Sequence, residues 1–509
     1  MKRLLNSPLI RISIIAIFGI LEFALTTWLL DYVFTQFAWL DVAVTIVSLI
    51  ILFGVIRNSR HLSADIFWIL LIAAAPVIGT TFYLGLGASR SLNPTTQSIV
   101  AETERAEPYY HPNPETLEKV KEAEPNYYGQ LYYVQQEGGF PVYENTGFTY
   151  YPLGDVGFPH MLADIEKAEH FCFLEYFIIQ SGEMWDSMLD VLERKAAEGV
   201  DVRVLYDDMG SVSTLPSHYA KDLEKRGIKC SAFNRLNPVV SVFLNNRDHR
   251  KIMVIDGKVA YTGGINLADE YVNVRERFGH WKDNVARVTG EAVWSFTVMF
   301  LTTWNALRHE DRDWEVFHVA PDASEGEPDG FIAPYGETPL DVNLIGENIY
   351  LNVLNQANDY CYIFTPYLVI DSELRYALML AAKRGVDVRI ITPGVPDKKL
   401  VWNITRSHYA QLIGDGVRIF EYSPGFVHSK VIVSDDQVAT VGTLNFDYRS
   451  LTLNFENGVL LCGSKEISAI RKDFEETFPQ CCEMTQESST EGPIMEFLLS
   501  VARLVAPML

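Results

Sequence analysis

The sequence predicts an α/β fold of two similar domains that face each other across one active site, preceded by N-terminal transmembrane helices. Three observations carry that prediction. Two blocks of the chain repeat one strand–helix–strand pattern. Each block ends in the same spaced set of His, Lys, Asp, Gly and Asn. The first 90 residues hold three long apolar runs. Composition agrees with a packed protein. The chain has 509 residues, 48% hydrophobic and 12% aromatic, which excludes collagen-like, coiled-coil and disordered classes. Its 42 Lys and Arg stand against 65 Asp and Glu, a formal net charge of -23. Such a chain repels polyanions, so nucleic acid is an unfavourable partner. The six cysteines (Cys172, Cys230, Cys361, Cys462, Cys481 and Cys482) form no CxxC pair, which argues against a structural zinc site and a disulfide framework.

Residues 1–90 are the membrane region. Runs 12–30, 37–56 and 66–86 are 19, 20 and 21 residues long and carry one charge, one charge and none. Each approaches the roughly 20 residues of a transmembrane helix. Glu22, within the first run, needs a partner or a proton at that depth. Pro76 and Gly79 interrupt the third run, which membrane helices tolerate. The first run is too long for a signal peptide and lacks a small-x-small cleavage site before Asp31. Lys2, Arg3 and Arg11 precede run one, the 31–36 loop has no Lys or Arg, and Arg57 and Arg60 follow run two. Basic loops stay cytoplasmic, so three crossings put the body of the chain on the outer face of the cell membrane, with Arg90 as one opposing charge. Residues 1–90 carry +2, which leaves -25 for that body.

Residues 91–130 are polar and acidic and read as a linker with one short helix at 115–124. Residues 131–320 and 321–480 are the two domains. The first contains KAEHFCFLEYF from Lys167 and AAEGVDVRVLYDD from Ala196. The second contains QANDYCYIFTPY from Gln356 and AAKRGVDVRIITPG from Ala381. A strand-like run, an amphipathic helix ending in Gly and a β-branched run give a βαβ unit with a parallel sheet. The polar 322–330 loop marks the boundary. Residues 481–509 form an amphipathic tail. Within it Glu496, Ser500 and Arg503 make one polar stripe, and the helix either lies at the membrane interface or docks on the body.

The repeated signature is His249-x-Lys251-x4-Asp256-x6-Gly263-Gly264-x-Asn266 and His428-x-Lys430-x4-Asp435-x6-Gly442-Thr443-x-Asn445. Two copies at equivalent places are not a chance motif. Residues 252–255 and 431–433 read as strands, so His and Lys two positions apart share a face. Asp256 and Gly257 then turn the chain into a returning strand. The glycines allow close backbone approach to a ligand, and Asn donates to an anionic oxygen. Two facing copies supply two imidazoles, two ammoniums and two amides, enough to bind and break a phosphodiester without a metal. Asp207 and Asp208 are read as loop carboxylates at a strand end.

These segments resemble the paired HKD motifs of the phospholipase D superfamily. TPYLVIDSELRYAL, GFVHSK, YRSLTLNFEN and VARLVAPML are similar to bacterial cardiolipin synthases, as is APVIGTTFYLGLG near the N-terminus. The resemblance covers the chain from about Phe37 onward; the first apolar run departs from it. It implies two phospholipase D-like repeats and a phosphatidyl transferase that joins two phosphatidylglycerol molecules into cardiolipin plus glycerol. It implies no cofactor and no metal. His249 would form a phosphatidyl-histidine, and His428 would act as acid and then as base. Lys251, Lys430, Asn266 and Asn445 would hold the phosphate oxygens. Asp283, 34 residues after His249, and Glu456, 28 after His428, would stand beside the imidazoles. Asp256 and Asp435 would fix the motif's shape. The rivals are a phospholipase D or phosphatidyl transferase with another acceptor alcohol, a nuclease or other phosphodiesterase of the superfamily, and a scaffold with a degenerate site. The acidic body opposes the nuclease. Both motifs are intact, which opposes the scaffold.

Overall fold

The structure is a computed structural model that describes residues 38–58, 62–84, 94–234, 246–319, 329–340, 343–489 and 492–505. The run 12–30, its basic flank, the 31–36 loop and most of the 322–330 loop lie outside these residues. The chain divides into two units, Met1–Ala88 and Ser89–Leu509.

In the first unit, α1 (Ala38–Asn58) takes in residues 38–56 of the second apolar run. The third run is not one helix. α2 (Leu62–Ala74) stops and α3 (Pro76–Phe82) restarts after Ala75. Pro76 has no N–H to continue a helix, and it suits the first turn of a new one. Ser48 Oγ donates to Pro76 O at 3.2 Å and Thr80 Oγ1 to Ser48 Oγ at 2.9 Å, tying α1 to α3. Trp39, Ile46, Ile50 and Phe53 of α1 are exposed. Among the described residues no helix is long and apolar enough to cross a membrane.

Residues 94–136 are not a linker but three packed helices, α4 (Pro94–Ala106), α5 (Pro114–Ala123) and α6 (Tyr128–Gln136). Their few apolar residues fall on one face each. Ile99 and Ala106 enter one core; Leu117, Val120, Leu131 and Val134 enter another. Charged residues on the remaining faces give the stretch its linker-like composition.

The first repeat forms a sheet of β1 (Thr146–Tyr151), β2 (Phe171–Tyr176), β3 (Asp201–Asp207), β4 (Lys229–Phe233), β6 (Lys251–Ile255), β7 (Val259–Gly263) and β9 (Val285–Gly290). The order is β1-β9-β7-β6-β2-β3-β4. The second repeat contributes β10 (Phe331–Glu337), β11 (Tyr360–Phe364), β13 (Asp387–Pro393), β14 (Arg418–Tyr422), β16 (Val431–Ser434), β17 (Val438–Gly442), β19 (Asn454–Cys462) and β20 (Cys481–Glu483). Its order is β10-β19-β17-β16-β11-β13-β14-β20. The two sheets correspond strand for strand from β1 to β4 and from β10 to β14. Short strands β5 (Arg247–Asp248), β8 (His280–Lys282), β12 (Leu368–Val369), β15 (Gly425–Val427) and β18 (Phe446–Asp447) complete the set. The sheets are mixed, not parallel. β2, β3 and β4 run parallel, with α7 (Glu183–Glu198) as the crossover between β2 and β3. β6–β7 and β16–β17 are hairpins, and a short turn permits only antiparallel pairing.

One core takes Phe173 and Val254 from the first sheet and Phe364 and Val433 from the second, with Phe300 and Trp304 of α8 (Val293–Arg308) between them. The two repeats therefore pack face to face. The alternate strand residues face outward, with Leu174 under α7 and Ile363 under α9 (Ser372–Lys383). Near the end of the chain, α10 (Lys399–Ser407) receives the tail helix α13, Pro493–Val505, whose Ala502 packs on Val369 and Ile404. Between them in sequence lie α11 (Tyr448–Thr452) and α12 (Glu466–Thr477).

Candidate active site

The hairpins of the repeated signature are built alike. Asp256 and Asp435 begin their turns at φ 52° and 55°, a left-handed conformation that Asp tolerates. The Asp256 carboxylate accepts from the N–H groups of Glu169, His170 and Phe171 at 2.7, 2.7 and 2.8 Å. That of Asp435 accepts from Asn358, Asp359 and Tyr360 at 2.7, 3.0 and 2.9 Å. Each acid ties its hairpin to the start of the neighbouring strand, β2 or β11. Its acceptors are engaged by backbone, not by an imidazole.

The histidines precede the hairpin strands instead of lying on them. His249 follows β5, and His428 follows β15. β5 pairs parallel with β19, Arg247 opposite Asn454, and β15 pairs parallel with β8, Gly425 opposite His280. Both pairings join one repeat to the other. The His249 N–H donates to Phe455 O at 2.9 Å and the His428 N–H to Lys282 O at 2.7 Å. The next residue along the chain on each partner side is an acid. His249 Nδ1 lies 2.8 Å from Glu456 Oε2, and His428 Nδ1 lies 2.7 Å from Asp283 Oδ2. The acids thus cross: each orients the imidazole of the other repeat. A carboxylate at Nδ1 keeps the proton there and leaves the Nε2 lone pair outward.

Both imidazoles, Asn266 and Asn445 line one cavity of about 350 Å³ between the repeats. Aromatic edges hold the rings, Phe177 at 4.9 Å from His249 and Tyr271 at 5.4 Å from His428. Asn266 Nδ2 donates to Tyr271 OH at 2.9 Å, and Asn445 Nδ2 to Ser450 Oγ at 3.0 Å, each partner five residues on. Lys251 and Lys430 are buried and absent from the cavity wall. Lys251 Nζ donates to His249 O at 2.6 Å, and Lys430 Nζ donates to His428 O.

Burial disfavours the charged form of each ionisable group in the site. Burial first, then Lys251, Lys430, Arg449 and Lys398, hold His249 well below its usual range. Burial and then Lys430 push His428 down to about 4, against the pull of Asp283. Burial brings Lys251 down to about 8 and Lys430 to about 7, while it raises Glu456 to about 7. One phosphodiester bound among these groups would favour the protonated form of each cation. The two sides differ. Four residues past Asn266 stands Glu270, bound by Arg275 and Arg277 at 2.6 and 2.7 Å; four past Asn445 stands Arg449.

The glycines serve the protein and not a ligand. A Cβ on Gly264 would lie 1.8 Å from Asp283 Oδ1 and 2.9 Å from His428 O, and one on Gly442 would lie 2.5 Å from Asn457 O. Thr443 replaces Gly264 in the second repeat and donates its hydroxyl to Glu456 Oε2 at 2.5 Å; Asn454 Nδ2 donates to Oε1 at 3.1 Å. Thr443 and Asn454 as supports of the acid escaped the sequence reading. The acid–Asn pair that recurs as Asp283-Asn284 and Glu456-Asn457 is the signal that points to them. Asp207 caps its own strand end, accepting from Met209 and Gly210 N–H at 2.9 Å and from Asp248 N–H at 3.0 Å. Among the described residues, the side chains close enough to hold a metal ion are His111, Glu315 and His318, exposed and outside the cavity wall.

A family model described as cardiolipin synthase, phospholipase D-like domain matches residues 161–281 and 350–478, one stretch in each repeat. The chain is 45% identical over 444 residues to an uncharacterized protein of Streptococcus mutans, covering 87% of this chain and 96% of that one. It is 31% identical to a cardiolipin synthase of Alkalihalophilus pseudofirmus, covering 98% and 99%. Among solved structures, a phosphatidylserine synthase of Haemophilus influenzae aligns with a TM-score of 0.54 at 14% identity, over 71% of this chain and 95% of that one, a likeness of fold alone.

Proposed function

Since the chain belongs to the cardiolipin synthase family of phospholipase D-like enzymes, we propose that it is a membrane-bound phosphatidyl transferase that condenses two phosphatidylglycerol molecules into cardiolipin and glycerol. The observation that carries this reading is the pair of crossed His–carboxylate contacts facing one cavity. His249 Nε2 attacks the phosphorus of the donor lipid, and the bond to the glycerol oxygen breaks. His428, protonated once the phosphate is bound, gives its Nε2 proton to that oxygen, and glycerol leaves. The second lipid then loses its hydroxyl proton to His428 Nε2 while its oxygen attacks phosphorus, and the P–N bond breaks. The histidine used as nucleophile must stay neutral, and the greater positive charge around His249 favours that role for it. Asn266 and Asn445, on the cavity wall, hold the non-bridging oxygens, and Lys251 and Lys430, buried behind the histidines, offset the developing charge. Glu456 and Asp283 keep Nδ1 protonated. Asp256 and Asp435 hold the hairpins.

Membrane attachment falls to the first unit. Its helices expose large apolar side chains, and their Ser48–Thr80 bond is the kind of polar tie that joins helices in lipid. The basic residues Arg57, in the last turn of α1, and Arg60, after it in the sequence, favour a cytoplasmic loop there and an outward-facing catalytic body. The test of function is incubation of the purified chain with phosphatidylglycerol in mixed micelles, with and without chelator, and analysis of the products by mass. Cardiolipin and glycerol in equal amounts are expected in both. Phosphatidic acid as the main product would replace the transferase with a phospholipase.

A further inference from the structure

The tail helix α13 has an apolar surface larger than its seat on the body can cover. Ile494, Phe497, Leu498, Val501 and Leu504 follow helical spacing and make one face, and all are exposed, Ile494 by 78% and Phe497 by 68%. A different flank, Leu499 and Ala502, faces the body. The polar stripe is the third side: Ser500 Oγ donates to Glu496 O at 2.7 Å, and Arg503 Nη2 donates to Ser500 Oγ at 3.2 Å.

The seat of the helix is also a wall of the active site. Ala502, Val401 and Tyr448 pack on the buried pair Val369 and Ile404, and Val369, Val401, Ile404 and Tyr448 line the cavity that holds the two histidines. The neighbouring helix α10 continues the surface with Leu400, 54% exposed. Its first turn and the residue before it carry Lys399 and Lys398, both exposed. Arg503 and Arg375 both lie close enough to His408 to act on it. The acids nearby are Glu496 on the stripe, Glu373 at the start of α9 and Asp397, which accepts from Tyr367 OH at 2.5 Å. A cationic rim around an apolar face is unusual on a chain of net charge -23.

We propose that α13 and the adjoining edge of α10 form a lipid-contact surface, which rests the mouth region of the catalytic cavity on an anionic bilayer. The apolar face enters the acyl region to the depth of a helix lying in the plane, and Lys398, Lys399, Arg375 and Arg503 meet the phosphates. A second copy of the chain is a poorer occupant, because a symmetric contact would bring the cationic rim onto itself. The proposal takes its lipid substrate from the function proposed above, but the surface can be tested without turnover.

The test uses the full chain with Cys481→Ser and Cys482→Ser, reconstituted in vesicles of phosphatidylglycerol and phosphatidylcholine. An environment-sensitive dye is attached at Leu498→Cys or at Ser500→Cys. Dye at 498 should emit to the blue and be quenched by spin-labelled acyl chains, and dye at 500 should be quenched less. Dye at 498 that is open to iodide and indifferent to spin-labelled lipid overturns the proposal, and so does mutual dye quenching between copies in dilute vesicles. In a second measurement, Phe497→Glu with Leu498→Glu should lower turnover of vesicle phosphatidylglycerol about tenfold relative to dispersed short-chain lipid. Equal loss on both substrates counts against the surface. If neither substrate yields cardiolipin even with the unchanged chain, the functional reading fails while the dye result still decides the surface.

Discussion

Glu456→Gln separates chemistry from folding in this site. The Glu456 carboxylate is fully buried; it accepts from His249 Nδ1 at 2.8 Å, Thr443 Oγ1 at 2.5 Å and Asn454 Nδ2 at 3.1 Å, and the Ser450 hydroxyl also acts on it. An amide has one oxygen and one NH2. If its nitrogen takes the place of Oε2, it meets His249 and Thr443 as a donor, and the imidazole must move its proton to Nε2. The attacking lone pair is then lost. If its nitrogen takes the place of Oε1, it opposes the Asn454 amide, and His249 keeps a neutral acceptor in place of a charged one. The second arrangement forfeits a charge-assisted bond, about 1.5–3 kcal/mol or roughly 10- to 150-fold in rate. The first, a wrong tautomer, costs up to about 10⁴-fold. Turnover of labelled phosphatidylglycerol should therefore fall by about 10² to 10⁴. Stability should move the other way. Burial raises the Glu456 carboxyl from 4.5 to about 7, so the native chain loses stability as pH rises from 4.5 through 7. Gln does not titrate, and the variant should lack that loss, on the order of 3 kcal/mol at most. The measurements are turnover and thermal unfolding from pH 5 to pH 8. A variant within about threefold of normal turnover would refute the orienting role. A variant whose lost activity tracks a collapse in melting temperature would show a structural role only.

Three further outcomes are expected. His249→Ala and His428→Ala should each lower turnover by several orders of magnitude, because the pair acts as one unit, and acid-labile, base-stable phosphate should be trapped on His249; near-normal synthesis by either variant contradicts the paired site. Gly264→Ala places a methyl 1.8 Å from Asp283 Oδ1 and should break the Asp283–His428 contact, with activity lost well beyond an overpacking cost of about 1–3 kcal/mol in urea unfolding. Exposed Cys482 should react with a membrane-impermeant maleimide in intact cells, with Cys482→Ser as the control, and labelling only after lysis would put the catalytic body on the cytoplasmic side.

Much of this protein is legible in its sequence. The duplicated signature names its histidines, lysines and asparagines, and the hairpin after each Lys follows from β-branched runs flanking Asp256-Gly257 and Asp435-Asp436. The same short-range pattern misled where context was needed. The βαβ blocks implied parallel sheets, yet most strand pairings in each sheet are antiparallel. The acidic stretch after residue 90 read as linker because one buried face per helix is a small share of its composition. The third apolar run read as one helix across Pro76.

Spacing along the chain therefore picked out the histidines and asparagines that meet in one cavity, since hairpins, turns and helices are local and leave a period in the sequence. Which acid serves which histidine was decided only by the tertiary structure. That assignment rests on β5 against β19 and β15 against β8, pairings of two and three residues between strands far apart in the chain. Strands so short have no periodicity to read, and their partners are fixed by the shared core that presses the two repeats together.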